Sequence, residues 1–595
     1  MGSRTHVRIG VDTGGTFTDV VASDGTVIKL PSTPADPAAA VAEGVRRAGG
    51  TRELAHGTTV ATNALLERRG GRVALIATAG HADVLEIARQ ARPSLYDPFA
   101  DRPEPLVPRE WRGEISGRLD AEGKEVVALG DLPSLPADAD VVAICLLHSD
   151  VDDTHERRAA AQVRAGLEVV CSYQVSPEFR EYERTATTVT NAYLLGPCRD
   201  YLAALAGVAP EVAVMTSAGG LVAVADAAGL PVSLLLSGPA GGVLAAAAAA
   251  EAAGFADCVT LDMGGTSTDV CCVLGGRPEP AAERSVAGIP IRMPSLDIHT
   301  IGAGGGSLAR LDTGGAVRVG PASAGAVPGP VCYGQGGTQP TVTDADLVAG
   351  HLAVHELPGI GRLDNRAAAA ALAAAGLAAE GVIAVVDEAM VQAIRVVSLS
   401  RGVDPSGLAL VAFGGAGPMH ACALAEALGM PAVLVPPRAG VLSAAGILAA
   451  PRQRDLVRSW PTPGDHRGLA EARASLAAAA ASAVGGGPEV VNLLDCRYAG
   501  QSHELSVPQM DGFVTEHQRR NGFVIDGAPI EVVALRASAR VPSPVQLRDL
   551  PAGGRSGRHR GPLSIAEGDC TVWVPQGWVA RADPSGAWVL RREGA

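Results

Sequence analysis

The sequence predicts an α/β protein with two large, similar domains followed by a smaller mixed α+β domain. Three observations predict this class: the length of 595 residues, a glycine-rich motif that occurs twice, and the alternation of strand-like with helix-like runs. A single hydrophobic core usually stops growing well below this length. We therefore expect the first domain at residues 1–190, the second at residues 191–455 and the third at residues 456–595.

The first predicted element is a strand at residues 7–11 that leads into a glycine turn. The turn begins the motif D-T-G-G-T-F-T-D-V at residues 12–20, which returns as D-M-G-G-T-S-T-D-V at residues 262–270. Each copy predicts a strand, a tight turn and a second strand. Because seven identical positions are improbable in two unrelated turns, the repeat indicates two related domains.

The remaining elements follow from hydrophobic spacing. The Ala-rich run at residues 240–250 predicts a buried helix, since it is too short to span a membrane. Apolar residues at helical spacing predict helices over residues 366–379 and 386–401, and residues 408–413 predict a buried strand. The third domain is expected to hold an Ala-rich helix at residues 470–483 and short strands, including residues 571–574 and 587–590.

Composition excludes several classes of function. The net charge of -14 argues against a nucleic-acid partner, because phosphate binding by a surface needs basic residues. The start of the chain lacks a signal peptide, so we expect a cytoplasmic protein without a membrane partner. Only Lys29 and Lys124 are lysines, and neither lies in a P-loop motif. The ten cysteines contain no C-x-x-C pair, which favours reduced, buried thiols.

The repeated motif carries the candidate chemistry. A glycine turn exposes successive backbone N–H groups and lets a phosphate approach closely, and threonine hydroxyls add donors. We predict that nucleotide phosphates are bound by Gly14, Gly15, Thr16, Thr18, Gly264, Gly265, Thr266 and Thr268. The leading carboxylates, Asp12 and Asp262, are candidates for holding Mg²⁺ through water or for orienting an attacking group. Asp19 and Asp269 are further catalytic candidates, or structural partners on the return strands.

Two facing hairpins of this kind resemble the actin, Hsp70 and sugar-kinase superfamily. In that superfamily, a hairpin from each of two RNase H-like domains brackets the phosphates of ATP, and a third glycine-rich loop holds the adenosine. The loop F-G-G-A-G-P at residues 413–418 occupies the corresponding place in the sequence order. The resemblance therefore implies ATP and Mg²⁺ as ligands, with Gly414, Gly415, Ala416 and Gly417 in the third loop.

A narrower resemblance covers residue 6 to about residue 455 and continues more weakly beyond. The segments H-G-T-T-V-A-T-N-A-L-L at residues 56–66 and D-I-H-T-I-G-A-G-G-G-S at residues 297–307 resemble the hydantoinase A/oxoprolinase family, as do residues 237–242 and 413–420. The family implies ATP-dependent ring opening of a cyclic amide such as a hydantoin, 5-oxoproline or a lactam. It also implies a second subunit of the hydantoinase B type, and a hetero- or homo-oligomer.

Three other functions stay open for the same fold. They are an ATP-dependent ketone carboxylase subunit, a small-molecule kinase, and a non-enzymatic module gated by ATP. The family segments favour the cyclic-amide enzyme and the ketone carboxylase, because a generic phosphate clamp would not require them. Substrate contacts are expected from His56, Thr58, Thr59 and Asn63, which either line a cleft or cap a helix. His299, Gly304 and Gly305 mark either a sharp turn or a close ligand approach.

Overall fold

The computed structural model describes residues 6–15, 17–33, 36–354, 356–357, 360–551 and 554–594. Two large sheets of ten and nine strands form its frame, and a four-stranded sheet lies in the first half of the chain. Helices cover the sheets and contribute to buried hydrophobic clusters against them. The predicted α/β class is confirmed by this arrangement.

Strands occur along the whole described chain. Those of the first part are β1 His6–Thr13, β2 Phe17–Ala22, β3 Val27–Pro31, β4 Thr51–Thr58, β5 Val73–Thr78, β6 Arg112–Ile115, β7 Arg118–Leu119, β8 Glu125–Val127, β9 Val141–Cys145, β10 Glu168–Cys171, β11 Glu211–Met215 and β12 Leu221–Ala223. Those of the middle are β13 Cys258–Met263, β14 Thr268–Leu274, β15 Arg277–Pro278, β16 Pro280–Ala281, β17 Arg284–Val286, β18 Ile289–Ile291, β19 Ser295–Leu296, β20 Ile298–Ile301, β21 Ser307–Leu311, β22 Val317–Ser323, β23 Glu356–Leu357, β24 Gly361–Arg362, β25 Ala409–Phe413 and β26 Val433–Val435. The last are β27 Arg452–Ser459, β28 Glu489–Tyr498, β29 Leu505–Val507, β30 Ile530–Val541, β31 Arg558–Arg560, β32 Leu563–Ala566, β33 Thr571–Val574, β34 Trp578–Ala582 and β35 Trp588–Arg592.

The α-helices connect and cover these strands. They are α1 Pro37–Arg47, α2 Val60–Leu66, α3 Val84–Ile87, α4 Thr154–Ala160, α5 Ser172–Val175, α6 Glu181–Leu205, α7 Val224–Gly229, α8 Gly238–Ala252, α9 Val342–Ala349, α10 Asn365–Ala374, α11 Ala379–Val397, α12 Gly417–Leu428, α13 Leu442–Ala449, α14 Leu469–Val484 and α15 Phe513–Asn521. The two predicted Ala-rich helices appear as α8 and α14. The helix predicted to start at residue 386 starts earlier, because the chain turns at Gly376, which adopts a left-handed φ of +69° just before α11.

The two large sheets contain the same five-strand pattern. The first holds the order β3-β2-β1-β4-β11, and the second holds β15-β14-β13-β25-β26. In each, the first three strands pair antiparallel with their neighbours. The fourth strand pairs in parallel with the third, and the fifth pairs in parallel with the fourth. Both copies of the repeated motif therefore occupy the turn between equivalent strands.

The strands do not divide at residues 190 and 455, where the sequence led us to expect boundaries. Residue 190 lies inside α6, and β11 and β12 after it belong to the first sheet. The strands after residue 455 are shared: β28, β29 and β30 extend the first sheet, while β31, β34 and β35 extend the second. The physical reason is that these strands supply hydrogen-bond partners to sheet edges that would otherwise stay open.

The helices α8 and α13 join the two halves through close backbone contact. A Cβ atom added at Gly446 of α13 would lie 1.8 Å from the carbonyl oxygen of Gly241 in α8. A Cβ at Gly10 of β1 would lie 2.3 Å from the carbonyl oxygen of Ala444. Such approach is possible only where a residue has no side chain. The small residues of both helices thus hold the two sheets against one another.

The hydrophobic helices among the described residues pack against the sheets as parts of the core. No single one of them is long and apolar enough to cross a membrane. The pair Asn365–Ala374 and Ala379–Arg401 reaches that length and apolarity only jointly, across a bend of 83°. All ten cysteines are free and buried, as the sequence predicts.

Candidate active site

The two repeated hairpins have the same local geometry. In the first, Asp12 lies opposite Asp19 across the strand pair, and in the second Asp262 lies opposite Asp269. The turns are closed by equivalent hydrogen bonds, which run from the N–H of the first glycine to the carbonyl three residues later. Their lengths are 3.0 Å at Gly14 and 3.1 Å in the second hairpin. The repeated sequence thus encodes one structure twice.

Both hairpins line a single cavity of about 1440 Å³ between the two halves. Its lining includes nine predicted site residues of the hairpins, which are Asp12, Gly14, Gly15, Asp19, Asp262, Gly264, Gly265, Thr266 and Asp269, and Gly414 from the third loop. Gly415 and Ala416 line it as well. Glycines at the turns leave backbone groups open to this space, which is the geometry that suits phosphate binding.

Asp12 has a perturbed environment at the end of β1. Burial raises the pKa of Asp12 to about 7, the neighbouring Asp19 adds to the increase, and Lys29 opposes it. Its Oδ1 atom is buried and has no hydrogen-bond partner among the described residues. A buried acceptor without a partner is costly unless a ligand or water satisfies it. Asp12 is therefore suited to hold a cation or to accept a proton.

Asp262 mirrors Asp12 at the end of β13. Burial raises the pKa of Asp262 to about 8, with further increases from Asp269 and Asp12. The Ser443 hydroxyl donates a hydrogen bond to Oδ2 over 3.2 Å and opposes the increase. Asp12 raises the pKa of Asp262, and Asp269 raises that of Asp12, so the carboxylates of the two hairpins lie close enough for their charges to interact.

The return-strand carboxylates have partners of their own. Lys29 donates to Asp19 over 2.7 Å, and Thr300 donates to Asp269 over 2.5 Å. Burial raises the pKa of both carboxylates, that of Asp269 to about 6, while these donors lower it. Both carboxylates line the cavity, so each has a structural partner and also borders the site.

The third loop packs directly on the second hairpin. Gly414 has a φ of +79°, and a Cβ there would lie 2.4 Å from Oδ1 of Asp262. Only glycine fits a position with both constraints. Gly417 does not line the cavity: it begins α12, and a Cβ atom added there would lie 3.4 Å from the carbonyl oxygen of Leu261. The loop thus contributes its first three predicted residues to the cavity.

The glycine run at residues 304–306 also supports the second hairpin. Gly305 donates to the Gly264 carbonyl over 3.0 Å, and Gly306 donates to the Gly265 carbonyl over 2.7 Å. A Cβ at Gly304 would lie 2.7 Å from the amide nitrogen of Thr266. Gly305 lines the cavity, whereas Gly304 serves the close packing behind it.

His299 lies away from the cavity lining. It occupies β20 opposite Val270, and burial lowers its pKa. Its strand pairs with the return strand of the second hairpin. The expected ligand approach at this position is replaced by a sheet contact, since the side chain alternates away from the hairpin carboxylate.

The start of α2 contributes three of its four predicted residues. Thr58, Thr59 and Asn63 line the cavity. His56 is completely buried instead, where its Nε2 lies 2.6 Å from the Tyr201 hydroxyl. Burial lowers the pKa of His56 to about 4, so the ring is neutral at physiological pH. His56 supports β4 beneath the cleft, whereas Thr58, Thr59 and Asn63 line the cleft itself.

The second threonine of each hairpin points into the protein. Thr18 is buried with its hydroxyl 3.2 Å from that of Ser32, and Thr268 donates to the Ala303 carbonyl over 2.6 Å. Neither lines the cavity, because side chains alternate along a strand. The expected phosphate contacts of these two residues are thus replaced by structural ones. Thr16 lies outside the described residues.

Several cavity residues were not predicted. Lys29 lines the cavity beside Asp19, and the hairpin register that pairs β2 with β3 offered a signal for it. Ser443 and the segment at residues 567–571 also line the cavity. Within that segment, Asp569 accepts from the N–H of Gly440 over 2.9 Å. No local pattern could have indicated them, because they reach the site from elements far along the chain.

Candidate metal ligands are arranged across the cleft. Asp12 and Asp262 belong to no compact group of three donors within the described part of the chain. Such a group is formed by Glu567, Asp569 and Cys570. Glu567 is held by Arg555 and by the indole N–H of Trp588, so its carboxylate already has structural partners.

This chain belongs to the hydantoinase/oxoprolinase family. Residues 184–455 match the hydantoinase/oxoprolinase family, and residues 8–167 match the hydantoinase/oxoprolinase N-terminal region. The family resemblance inferred from the sequence motifs is therefore confirmed.

Similar proteins include enzymes of several activities. The caprolactamase subunit alpha of Pseudomonas jessenii is 34% identical, over 99% of each chain. The 5-oxoprolinase 1 of Arabidopsis thaliana is 34% identical over 74% of this chain and 41% of its own length. The acetophenone carboxylase gamma subunit of Aromatoleum aromaticum is 33% identical over 74% of this chain and 67% of its own.

Solved structures share the α/β fold over nearly the whole chain. The crystal structure of an ATP-dependent caprolactamase from Pseudomonas jessenii has a TM-score of 0.84 and 31% identity, covering 98% of this chain and 100% of its own. A nucleotide-free acetone carboxylase has a TM-score of 0.77 at 24% identity, covering 99% and 100%. The second likeness shows the fold alone.

Proposed function

We propose that this chain is the ATP-binding subunit of an enzyme that activates a cyclic amide for ring-opening hydrolysis. One observation carries the proposal: Asp12 and Asp262, at equivalent turns of two equivalent sheets, line the same cavity, and the charge of Asp12 raises the pKa of Asp262. The matching strand orders support an actin-like fold of two RNase H-like domains, with ATP between them. The ATP-dependent caprolactamase, similar over its whole length, supports the cyclic amide as substrate.

The residues present fit a nucleotide with Mg²⁺. The turn glycines at residues 14, 15, 264 and 265 offer backbone N–H groups, and the unpartnered Oδ1 of Asp12 offers an acceptor for metal-bound water. Mg²⁺ would neutralise charge on the phosphates. The chain's own carboxylates would fix the position of the reacting groups, and phosphoryl transfer depends mainly on such positioning and charge neutralisation.

Activation of the amide follows from simple chemistry. The amide oxygen would attack the γ-phosphorus and ADP would leave, so that the carbonyl carbon would carry a phosphoryloxy group. Water would add to this carbon, the ring C–N bond would break with a proton passing to the nitrogen, and inorganic phosphate would be released. Asp12 or Asp262 would orient the oxygen or take a proton, since a pKa near 7 or 8 permits both protonation states near neutrality. The relatives named as subunits support a second subunit that completes the hydrolysis.

The proposal is tested by measuring ADP release with hydantoin, 5-oxoproline, lactams, and a ketone plus bicarbonate. Each is assayed with and without a second subunit encoded beside this chain. ADP release together with the ring-opened amino acid is the expected result. Turnover confined to a ketone with bicarbonate would replace hydrolysis by carboxylation, and a stable phosphate ester from the lone chain would make it a kinase.

A further inference from the structure

The cavity extends beyond the hairpins into the first half of the chain. We name this part the α2 arm and define it by Thr58, Thr59 and Asn63 at α2, and by Asp200 and Tyr201 of α6. The opposite part, beside the third loop, is lined by apolar side chains such as Leu352, Leu357, Ile360 and Met419. Given the proposed function, on which this inference depends, the apolar part suits the adenine ring and the α2 arm is left for the substrate.

Uncharged hydrogen-bonding groups lie at the base of the α2 arm. Thr59 donates to the carbonyl of Thr13 over 3.3 Å, and the Asn63 amide donates to the Thr59 hydroxyl over 3.3 Å. The Tyr201 hydroxyl contacts the neutral ring of His56. Hydroxyl and amide groups pair well with the C=O and N–H of a cyclic amide. They provide no counter-charge for an ionised substrate.

The charges around the arm are acidic. Asp36, Glu67 and Asp200 border it on exposed positions. Among the described lining residues of the whole cavity, ten are acidic and only Lys29 and Arg69 are basic. Lys29 is paired with Asp19, and Arg69 is paired with Glu67.

Recognition of a carboxylate normally uses a free arginine or lysine. We propose that the α2 arm selects cyclic amides that carry no carboxylate and rejects those that do, 5-oxoproline among them. A substrate carboxylate in the α2 arm would meet repulsion from Asp36 and Asp200 without a compensating ion pair. The same repulsion does not prevent binding of the triphosphate of ATP, because backbone N–H groups and Mg²⁺ can neutralise phosphates at the hairpins.

The test compares 2-pyrrolidinone with 5-oxoproline, which differ only in the carboxylate. Their affinities are measured by calorimetry on the full chain, together with its second subunit, in the presence of Mg²⁺ and a non-hydrolysable ATP analogue. We expect 2-pyrrolidinone to bind about ten-fold more tightly or better, a preference that shrinks in high salt because exposed charges are screened.

Matched variants locate the effect. Asp200→Arg supplies a cation at the rim, and we expect it to improve 5-oxoproline binding about ten-fold relative to 2-pyrrolidinone. Asp200→Asn removes one negative charge and should give a smaller change in the same direction. Asp101→Asn, an exposed carboxylate outside the cavity lining, serves as the control and should leave the ratio unchanged.

The outcomes separate this inference from the proposed function. Equal or tighter binding of 5-oxoproline by the unmodified protein, with ATP chemistry intact, overturns the inference alone. An unchanged ratio in Asp200→Arg overturns it as well. Binding of no cyclic amide at all, charged or uncharged, ends the proposed function and this inference together.

Discussion

Asp12 and Asp262 show how burial sets the chemistry of single side chains. Each carboxylate is surrounded by protein and by other carboxylates, so ionisation is delayed until about pH 7 for Asp12 and pH 8 for Asp262. An unfolded chain ionises the same groups near pH 4. The native state therefore loses stability as pH rises from about 4 to 8, because the charges then form in an unfavourable place.

This balance predicts opposite effects of one substitution on activity and on stability. Asp262→Asn should reduce ADP release about 100-fold or more, because the positioned charge is lost. The same variant should unfold about 2–4 °C higher than the unmodified protein at pH 8, with a smaller gain at pH 5. Parallel turnover and thermal-unfolding measurements check it, with Asp101→Asn as the exposed control. Unchanged turnover would remove Asp262 from the mechanism.

The pairing of α9, α11 and α12 depends on a buried cluster of charges. His420 of α12 lies 2.7 Å from Asp387 of α11 and 3.4 Å from Asp346 of α9. Despite burial, these carboxylates raise the pKa of His420 from 6.5 to about 10, and they in turn are neutralised by it. His351, at 3.4 Å from Asp346, shares this carboxylate and stacks on Trp573.

The raised pKa gives this cluster a defined pH dependence. A histidine whose pKa is higher in the folded than in the unfolded state stabilises the fold fully at pH values below its unfolded pKa. This contribution is lost as the pH rises through its folded pKa. His420→Gln should therefore lower the free energy of unfolding by about 3–5 kcal/mol near pH 6. The difference should shrink between pH 6.5 and about 10. A difference that grows with pH in denaturant titrations would contradict the assignment.

The close contact between α8 and α13 gives a prediction about the packing of helices. Gly446→Ala places a methyl group against the backbone of Gly241, so we expect a loss of about 1–3 kcal/mol in the free energy of unfolding. Gly381→Ala is the matched control, because this helical glycine of α11 has open space around it. That control should gain up to about 1 kcal/mol. Equal effects in urea unfolding would show that the two helices do not pack as described.

At the scale of the whole molecule, the C-terminal residues complete both halves. Pairing of β27 with β30 closes one edge of the first sheet, and pairing of β26 with β35 closes an edge of the second. Residues 567–571 form part of the cavity wall. The C-terminal residues thus belong to the two sheets that hold the cavity residues in place.

Removal of this region tests its role. A chain ending at residue 455 should aggregate or be degraded rapidly by protease, because two hydrophobic sheet edges would be exposed. Size-exclusion chromatography and limited proteolysis, with the full chain as reference, check this outcome. A soluble, monodisperse fragment that still binds ATP would show that the two halves fold without their C-terminal strands.

Part of the site was predictable from local sequence and part was not. The repeated motif placed Asp12 and Asp262 before the turns and Asp19 and Asp269 on the return strands, and the register of the next strand could have placed Lys29. Thr18 and Thr268 were assigned to phosphates although strand alternation turns them inward. His56 was assigned to the substrate, yet packing against Tyr201 buries it. Ser443 and Asp569 were beyond prediction, because their positions depend on long-range packing.

The sequence by itself determined the α/β class, the paired hairpins, the third loop and the family. These features depend on short-range rules: glycine turns, strand alternation and helical spacing act over a few residues. The tertiary structure alone decided that both hairpins face one cavity, that C-terminal strands complete both sheets, and that acidic groups surround the α2 arm. Such facts depend on contacts between residues hundreds of positions apart, which no local pattern encodes.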